Sequence, residues 1–327
     1  MLLVADIGGT KVKIATIDIS HVTWDFKNQE EYTSLDYKTL EDIISFYLKK
    51  HNHLITAIAL GVAGPVNHEE SQITNLPWTI KTNTIREKFN IQNVFLLNDL
   101  EAHAHGISTL SQKDLVTLQK GNPSPGNSAI IAVGTGLGEC ILFWNGKEHS
   151  ACSSEGGHAD FGPQNTEDIE LLEFLFEKNQ HVSWERVLSG CFGFLNIYSF
   201  LRDQKKLPPS NKIECALKKG EMNLGPLILE EAGKGDLIST KCLERFVGFY
   251  GAEAGNLALK SFAVHGVYLA GGIAPKILSY LKTELFLNAF SNKGRQSNLM
   301  KQIPIYIITD PDLPLKGLAH FARKHIS

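Results

Sequence analysis

The sequence predicts an α/β protein with mixed sheets, built as two domains. Three observations carry that reading. Segments with strand alternation and segments with helical spacing intermix along the whole chain. A pattern of strand, glycine turn and strand opens the chain and recurs in its middle. The length of 327 residues matches two domains at roughly 100–200 residues each.

The elements follow in order. Leu2-Leu3-Val4-Ala5-Asp6 is apolar enough for a buried strand, and Ile7-Gly8-Gly9-Thr10 turns it into Lys11–Asp18, where Val12 and Ile14 alternate with their neighbours. A dinucleotide-binding turn leads into a helix, whereas this one leads into a strand. Lys38–Lys50 reads as a helix from the spacing of Leu40, Ile43, Ile44 and Tyr47. Leu54–Val62 is a buried-type strand ending at Gly64-Pro65. Thr84–Asn90 reads as a short helix, Val94–Leu97 as a strand running into Asn98-Asp99, and Glu101–Leu110 as a helix. Gly121–Asn127 is the clearest breaker cluster. Directly after it come strand Ala129–Val133, the turn Gly134-Thr135-Gly136-Leu137-Gly138 and strand Glu139–Trp144, an echo of the opening pattern. Helices are expected at Asp168–Lys178, Glu185–Leu201 and Ser239–Phe262. In the last of these, Gly248, Gly251 and Gly255 share nearly one face, as close packing against a neighbouring helix requires. Gly266–Ala270 is a strand ending in Gly271-Gly272-Ile273, and Ile303–Thr309 is a strand before a closing helix. The boundary falls in Leu110–Asn127. This gives a smaller domain of residues 1–110, to which 308–327 return, and a larger one of residues 111–307.

Composition narrows the function. Hydrophobic residues make up 43% and charged residues 20%, as in a globular protein with a large core. The net charge of −3 comes without a Lys/Arg-rich run, so the cation cluster that neutralises nucleic-acid phosphates is missing. No charge-free stretch reaches about 20 unbroken apolar residues, which argues against a membrane span. Met1 leads straight into a strand without a basic region or cleavage site, and this predicts a cytosolic protein. Cys140, Cys152, Cys191, Cys215 and Cys242 form no CxxC pair and leave one unpaired in any disulfide scheme. They are expected as reduced, buried thiols.

Three glycine turns follow apolar strands: Asp6–Lys11, Gly134–Gly138 and Ala270–Ile273. Each alone fits a tight hairpin. Together they fit a nucleotide site, because a backbone without β-carbons approaches phosphates closely and points N–H groups at them. The Thr10 and Thr135 hydroxyls add donors, and Asp6 sits where a carboxylate holds hydrated Mg²⁺. None of the turns has the GK[ST] ending of a P-loop. Asn98-Asp99, between strand and helix, has two readings: a helix cap, or a cap in Asn98 with Asp99 as a general base toward an alcohol. Glu155-Gly156-Gly157-His158 would be a metal motif on a helix, but two glycines disfavour a helix. A loop carrying a carboxylate and an imidazole suits a polyol, and no second zinc-ligand pair is apparent. Glu185 either sits favourably at a helix start or faces the ligand.

The order of DIGGT, TNLPW (74–78), LLNDLEA (96–102), GTGLG, EGGHADFGP (155–163), HVSWERVLSG (181–190) and LAGGI (269–273) resembles the bacterial glucokinase family of the actin-like (ribonuclease H-like) sugar kinase superfamily. The resemblance spans nearly the whole chain. It implies a two-domain actin-like fold and ATP-dependent phosphorylation of D-glucose to glucose 6-phosphate, with Mg-ATP in an interdomain cleft. It also implies Asp99 as the catalytic base on the 6-hydroxyl, and Asn98, Asp99, Glu155, His158 and Glu185 as sugar-binding residues. Asp6, Ile7, Gly8, Gly9, Thr10, Gly134, Thr135 and Gly136 would hold ATP phosphates, and Gly271 and Gly272 would lie near adenosine. Asp6 would bind Mg²⁺ through water, and a homodimer is expected. Lys11 stands where this family more usually has Asn, as in a related repressor and kinase group. That group carries a Cys-rich zinc motif, and residues 159–166 contain no cysteine, so no zinc is expected. Leu313–Ala319 departs from the family's Gly-rich stretch. Other hexoses remain open as substrates. A silent regulator is disfavoured by the retention of Asp99 with all three turns, and by a first strand that leaves no room for a DNA-binding helix pair ahead of it.

Overall fold

The computed structural model describes residues 1–21, 23–73 and 76–326. Two compact units divide the chain: Met1–Ser111 with Asp310–Ser327, and Gln112–Thr309.

The first unit contains strands β1 (Leu2–Ile7), β2 (Lys11–Ile17) and β3 (Phe26–Thr33), helix α1 (Leu40–His51), and strands β4 (Ala57–Val62), β5 (Val66–Asn67), β6 (Glu70–Gln72) and β7 (Thr79–Lys81). Helix α2 (Thr82–Phe89), strand β8 (Asn93–Asn98) and helix α3 (Asp99–Ile107) follow. Its main sheet has the order β3-β2-β1-β4-β8, and β5, β6 and β7 form a small second sheet. β1, β4 and β8 are parallel, while β2 and β3 return antiparallel. Both faces of the sheet are covered. Leu3, Ala5 and Ile7 pack with Leu40, Ile43, Ile44 and Tyr47 of α1, whereas Leu2 and Val4 face the opposite side. Continuous apolar strands are the result of such two-sided burial. The α1 helix starts where Thr39 Oγ1 accepts the Asp42 N–H and stops at Asn52, which adopts φ 47°.

The second unit runs through β9 (Leu115–Gln119), β10 (Ser128–Val133), β11 (Leu137–Trp144), β12 (His149–Ser154), α4 (Thr166–Phe176), α5 (Gly193–Asp203), α6 (Asn211–Lys218), α7 (Gly225–Gly233) and α8 (Leu237–Ser261). It continues through β13 (Gly266–Ala270), α9 (Leu278–Leu281), α10 (Glu284–Ser291), α11 (Ser297–Met300) and β14 (Ile305–Ile308). Its sheet has the order β12-β11-β10-β13-β14-β9, with β10, β13 and β14 parallel. The central hairpin with parallel strands to one side repeats the arrangement of the first unit, as the echo of the two glycine turns anticipates. The closing helix α12 (Leu313–His325) belongs to the first unit, where Leu315, Leu318, Ala319 and Ala322 cover Leu2, Val4, Ala57 and Ala59.

Three expectations need correction. The helix expected over Glu185–Leu201 is instead a 3-10 turn at Trp184–Arg186, an irregular stretch, and then α5. Gly190 N–H and Cys191 N–H donate to the carbonyls of Gly134 and Thr135, so tertiary partners take groups that a helix needs. Of the three glycines in α8, Gly251 and Gly255 meet the backbone of α10 at Phe286 and Phe290, but Gly248 faces open space. None of the cysteines forms a disulfide, and Cys140 and Cys242 are buried, yet Cys152 and Cys215 are exposed. Among the described residues no helix is long and apolar enough to cross a membrane.

Candidate functional site

In the first unit, parallel register sets Ile7 beside Val62 and Val62 beside Asn98. Asp6-Ile7 and Asn98-Asp99 therefore end two strands of one sheet at its C-terminal edge, where α/β sheets bind ligands. The turn through Gly8, Gly9 and Thr10 is closed by Gly8 N–H donating to the Lys11 carbonyl at 2.9 Å. Ser34 steadies it from the side, its N–H donating to the Thr10 carbonyl at 3.0 Å and its Oγ to the Gly8 carbonyl at 3.1 Å.

Asp6 is half-buried and faces Lys13 across the hairpin. Burial pushes its carboxyl above the usual range, and the charges of His103 and Lys13 pull the other way. Lys13 Nζ donates to Asp312 Oδ1 at 2.6 Å and to the Pro311 carbonyl at 3.0 Å. His103 Nδ1 lies 2.8 Å from the Asp99 carbonyl. A carbonyl only accepts, so this nitrogen carries the proton. A desolvated carboxyl at a strand end fits a hydrated divalent cation, whose charge favours the ionised form. Among the described residues no group of three ligating side chains forms a metal cage.

Asn98 does cap a helix. Its Oδ1 accepts the N–H groups of Leu100 at 3.0 Å and Glu101 at 3.4 Å, and its amide donates to the Gly64 carbonyl at 3.1 Å. Asp99 opens α3, half-buried, with Oδ1 accepting the Leu100 N–H at 2.9 Å.

In the second unit, Glu155, His158 and Glu185 come together. His158 Nε2 is 3.9 Å from Glu155 Oε2, and His158 Nδ1 is 3.6 Å from Glu185 Oε2. Glu155 caps and His158 closes a short 3-10 turn, Gly156–His158, rather than an α-helix. The two glycines have a packing reason as well: a β-carbon on Gly156 would collide with Glu139 Oε2, and one on Gly157 with the Leu137 carbonyl. The turn at Gly134 is braced by the Gly190 and Cys191 N–H bonds at 2.8 and 3.1 Å. Gly136 lies against Glu185, whose Oε1 would be 2.5 Å from a β-carbon there. Gly271 adopts φ +86°, open to glycine, while β-carbons on Gly134 and Gly272 would meet nothing within 4 Å. A pocket of about 240 Å³ opens beside His158 and Glu185, lined also by Gln180, His181, Ser183 and Arg186. Thr74 and Asn75 of the TNLPW motif lie outside the described residues; its Leu76 and Trp78 are buried in the first unit's core.

Sequence reasoning passed over Lys13, His103 and Ser34. A signal existed for the first two: hairpin register about Gly8-Gly9 sets Lys13 opposite Asp6, and His103 follows Asp99 by one helical turn. No local signal marks the buried pair Glu139 and Glu253.

The fold is that of the actin-like sugar kinases. A crystal structure of glucokinase from an Antarctic psychrotroph matches with a TM-score of 0.83 at 28% identity, covering 99% of this chain and 98% of its own. The glucokinase of Balamuthia mandrillaris, solved in complex with glucose, shares the fold at 20% identity with a TM-score of 0.74, covering 98% and 93%. The glucokinase of Nostoc punctiforme is 39% identical over 346 aligned positions, covering 99% of each chain. The sequence model of the glucokinase family matches residues 3–325. This chain belongs to the glucokinase family, and it is an enzyme of that family.

Proposed function

We propose that the protein transfers the terminal phosphoryl group of ATP to the 6-hydroxyl of D-glucose. The observation that carries the proposal is the cluster of Glu155, His158 and Glu185, two carboxylates and an imidazole separated by 3.6 and 3.9 Å beside a braced glycine turn. Family membership and the glucose bound to the Balamuthia enzyme support the same substrate. In this reading the three side chains pair with vicinal sugar hydroxyls, each carboxylate accepting and the imidazole donating or accepting. Asn98 offers its second amide N–H to the sugar while its oxygen caps α3. Asp99 accepts the proton of the 6-hydroxyl as the new P–O bond forms.

The residues Asp6, Ile7, Gly8, Gly9 and Thr10, together with Gly134, Thr135 and Gly136, offer N–H and hydroxyl donors to phosphate oxygens, and Gly271-Gly272 leaves room for adenosine. Positioning and fixed dipoles supply most of the acceleration in such transfers. Mg²⁺, held by Asp6 through water, would offset phosphate charge when bound. A cytosolic homodimer belongs to the same reading. The direct test is an ATP-coupled assay with a panel of hexoses ranked by kcat/KM. Glucose should lead, and turnover of another hexose with glucose inert would overturn the substrate assignment.

A further inference from the structure

Glu139 lies in β11, just past the Gly134–Gly138 turn, and Glu253 lies in α8; they are 2% and 0% exposed. Their carboxyls are within hydrogen-bonding reach of each other. The donors around them gather on Glu253. Asn256 Nδ2 donates to its Oε2 at 2.8 Å, and Lys260 Nζ stands 3.5 Å from its Oε1. Lys293 Nζ, donating to the Ala252 carbonyl and to Asn256 Oδ1, adds charge on the same side. Among the described residues Glu139 Oε1 and Glu253 Oε1 are both buried with no hydrogen-bond donor aimed at them, as two carboxyl oxygens sharing one proton would be. Two ionised carboxylates cannot share such a site. Burial raises both carboxyls, but the Asn256 bond and the Lys260 charge pull only Glu253 strongly back, so Glu253 is the member that carries the charge and Glu139 the one that keeps the proton. Burial, and after it the charge of Glu253, push Glu139 up to about 8.

The other oxygen of Glu139 supports a loop. Oε2 occupies the place of a side chain on Gly156. Ser154 Oγ donates to the Glu139 carbonyl at 3.0 Å and accepts the Gly156 N–H at 3.3 Å. Gly157 packs on the carbonyl of Leu137, two residues before Glu139. The segment carrying Glu155 and His158 thus rests on residue 139 through both its carboxyl and its backbone.

The geometry points to Glu139 as a positioning residue for hexose binding: protonated and bonded to Glu253, it holds the Glu155–His158 loop in place, and loss of that proton to alkaline solvent releases the loop. The inference rests on the reading of Glu155 and His158 as sugar ligands. When Glu139 ionises, it must turn from Glu253, and Gly156, which has no side chain, is the wall that gives. Lys260 and Lys293 are the cations facing the pair from α8 and from the segment after α10. The strand neighbours in register with Glu139 are Ile131 and Ser154, which do not titrate.

The experiment measures glucose Kd by intrinsic fluorescence and KM by the coupled assay from pH 7 to 9.5. Three proteins are compared: wild type, Glu139→Gln and Glu253→Gln. The wild-type KM should rise about fivefold or more across this range, with kcat changing less, as expected for ionisation of one group near the middle of it. Glu139→Gln keeps a donor toward Glu253 and cannot ionise, so its KM should change less than about twofold. Glu253→Gln offers an amide donor to an ionised Glu139 and should flatten the rise as well, which serves if Glu139→Gln does not fold. A rise that persists in either folded variant overturns the proposal, and so does a wild-type Kd that stays flat. If the wild type neither binds nor phosphorylates glucose at pH 7, the functional reading falls and this proposal with it. Glucose binding without the pH dependence removes only the proposal.

Discussion

Glu185 Oε1 stands 2.5 Å from the point a β-carbon on Gly136 would occupy. The glycine of the second turn is therefore fixed by a carboxylate of its own chain. The atom that Gly136→Ala would displace is the end of a flexible side chain, so the fold can yield at small cost, with Tm falling by no more than about 2 °C. The carboxylate, however, leaves its place beside His158. Loss of one charge-assisted hydrogen bond, about 1.5–3 kcal/mol, should raise the glucose KM roughly 10- to 100-fold. Initial-rate kinetics over a glucose series checks this. A KM within twofold of wild type would mean that Glu185 does not touch the sugar.

In the proposed mechanism Asn98 and Asp99 divide two tasks at the start of α3, a cap and a base, and substitutions can separate them. Asp99→Asn leaves the cap of Asn98 intact and preserves shape, so stability should change little. Turnover should fall about 10²- to 10⁴-fold, the usual range for removing a general base. Glucose affinity should stay within a few-fold. Asn98→Ala should behave in the opposite way on stability, losing about 1 kcal/mol or more with the cap as well as the bond to the Gly64 carbonyl. Thermal melts and kcat for both variants are the readout, and an active Asp99→Asn enzyme would falsify the base assignment.

What the sequence discloses depends on where each element buries its side chains. β1 and β4 are covered on both faces, so every residue of Leu2-Leu3-Val4-Ala5 is apolar and the strands are plain to read. β3, Phe26–Thr33, lies at a sheet edge with most side chains in solvent, and its FKNQEEYT carries no strand-like run; β12, HSACSS, is hidden for the same reason. The overlong helix at Glu185 failed because Gly190 and Cys191 bond to the distant Gly134 turn, a partner that no window of local sequence contains. In the site, Glu155, His158 and Glu185 stand out by motif. Their mutual distances, and the support of the loop by Glu139, come only from tertiary packing.

Gly106 of α3 and Gly317 of α12 mark a close crossing within the first unit. A β-carbon on Gly106 would lie 2.6 Å from the Leu313 carbonyl, and one on Gly317 would collide with the Ala102 carbonyl. These obstacles are backbone atoms in helices that also form the floor under β1 and β4, so they cannot swing aside. Gly317→Ala should destabilise by about 3 kcal/mol through overpacking. Calorimetry or urea melting of the full chain checks it. A loss under about 0.5 kcal/mol would mean that the two helices separate without cost.

The Glu139 carboxyl also ties stability to pH, with a definite sign. In the unfolded chain it ionises near the ordinary 4.5, and in the native protein burial and Glu253 hold it protonated up to about 8. Between these values the native state holds a proton that the unfolded chain has released, so stability must fall as pH rises. The contribution is complete below about 4.5 and is lost as pH passes about 8. Exposed, paired carboxylates run the other way: Glu69, held down to about 2 by its bonds to Arg86 and Thr82, stabilises above the usual range and loses that effect only in acid. Melting curves of wild type and Glu139→Gln from pH 5 to 9 separate the two contributions, because the substitution removes only the first. The Tm difference should move in favour of Glu139→Gln by several degrees across the window. Parallel curves would mean that Glu139 enters the fold already ionised, which the bonding around Glu253 gives no means to accommodate.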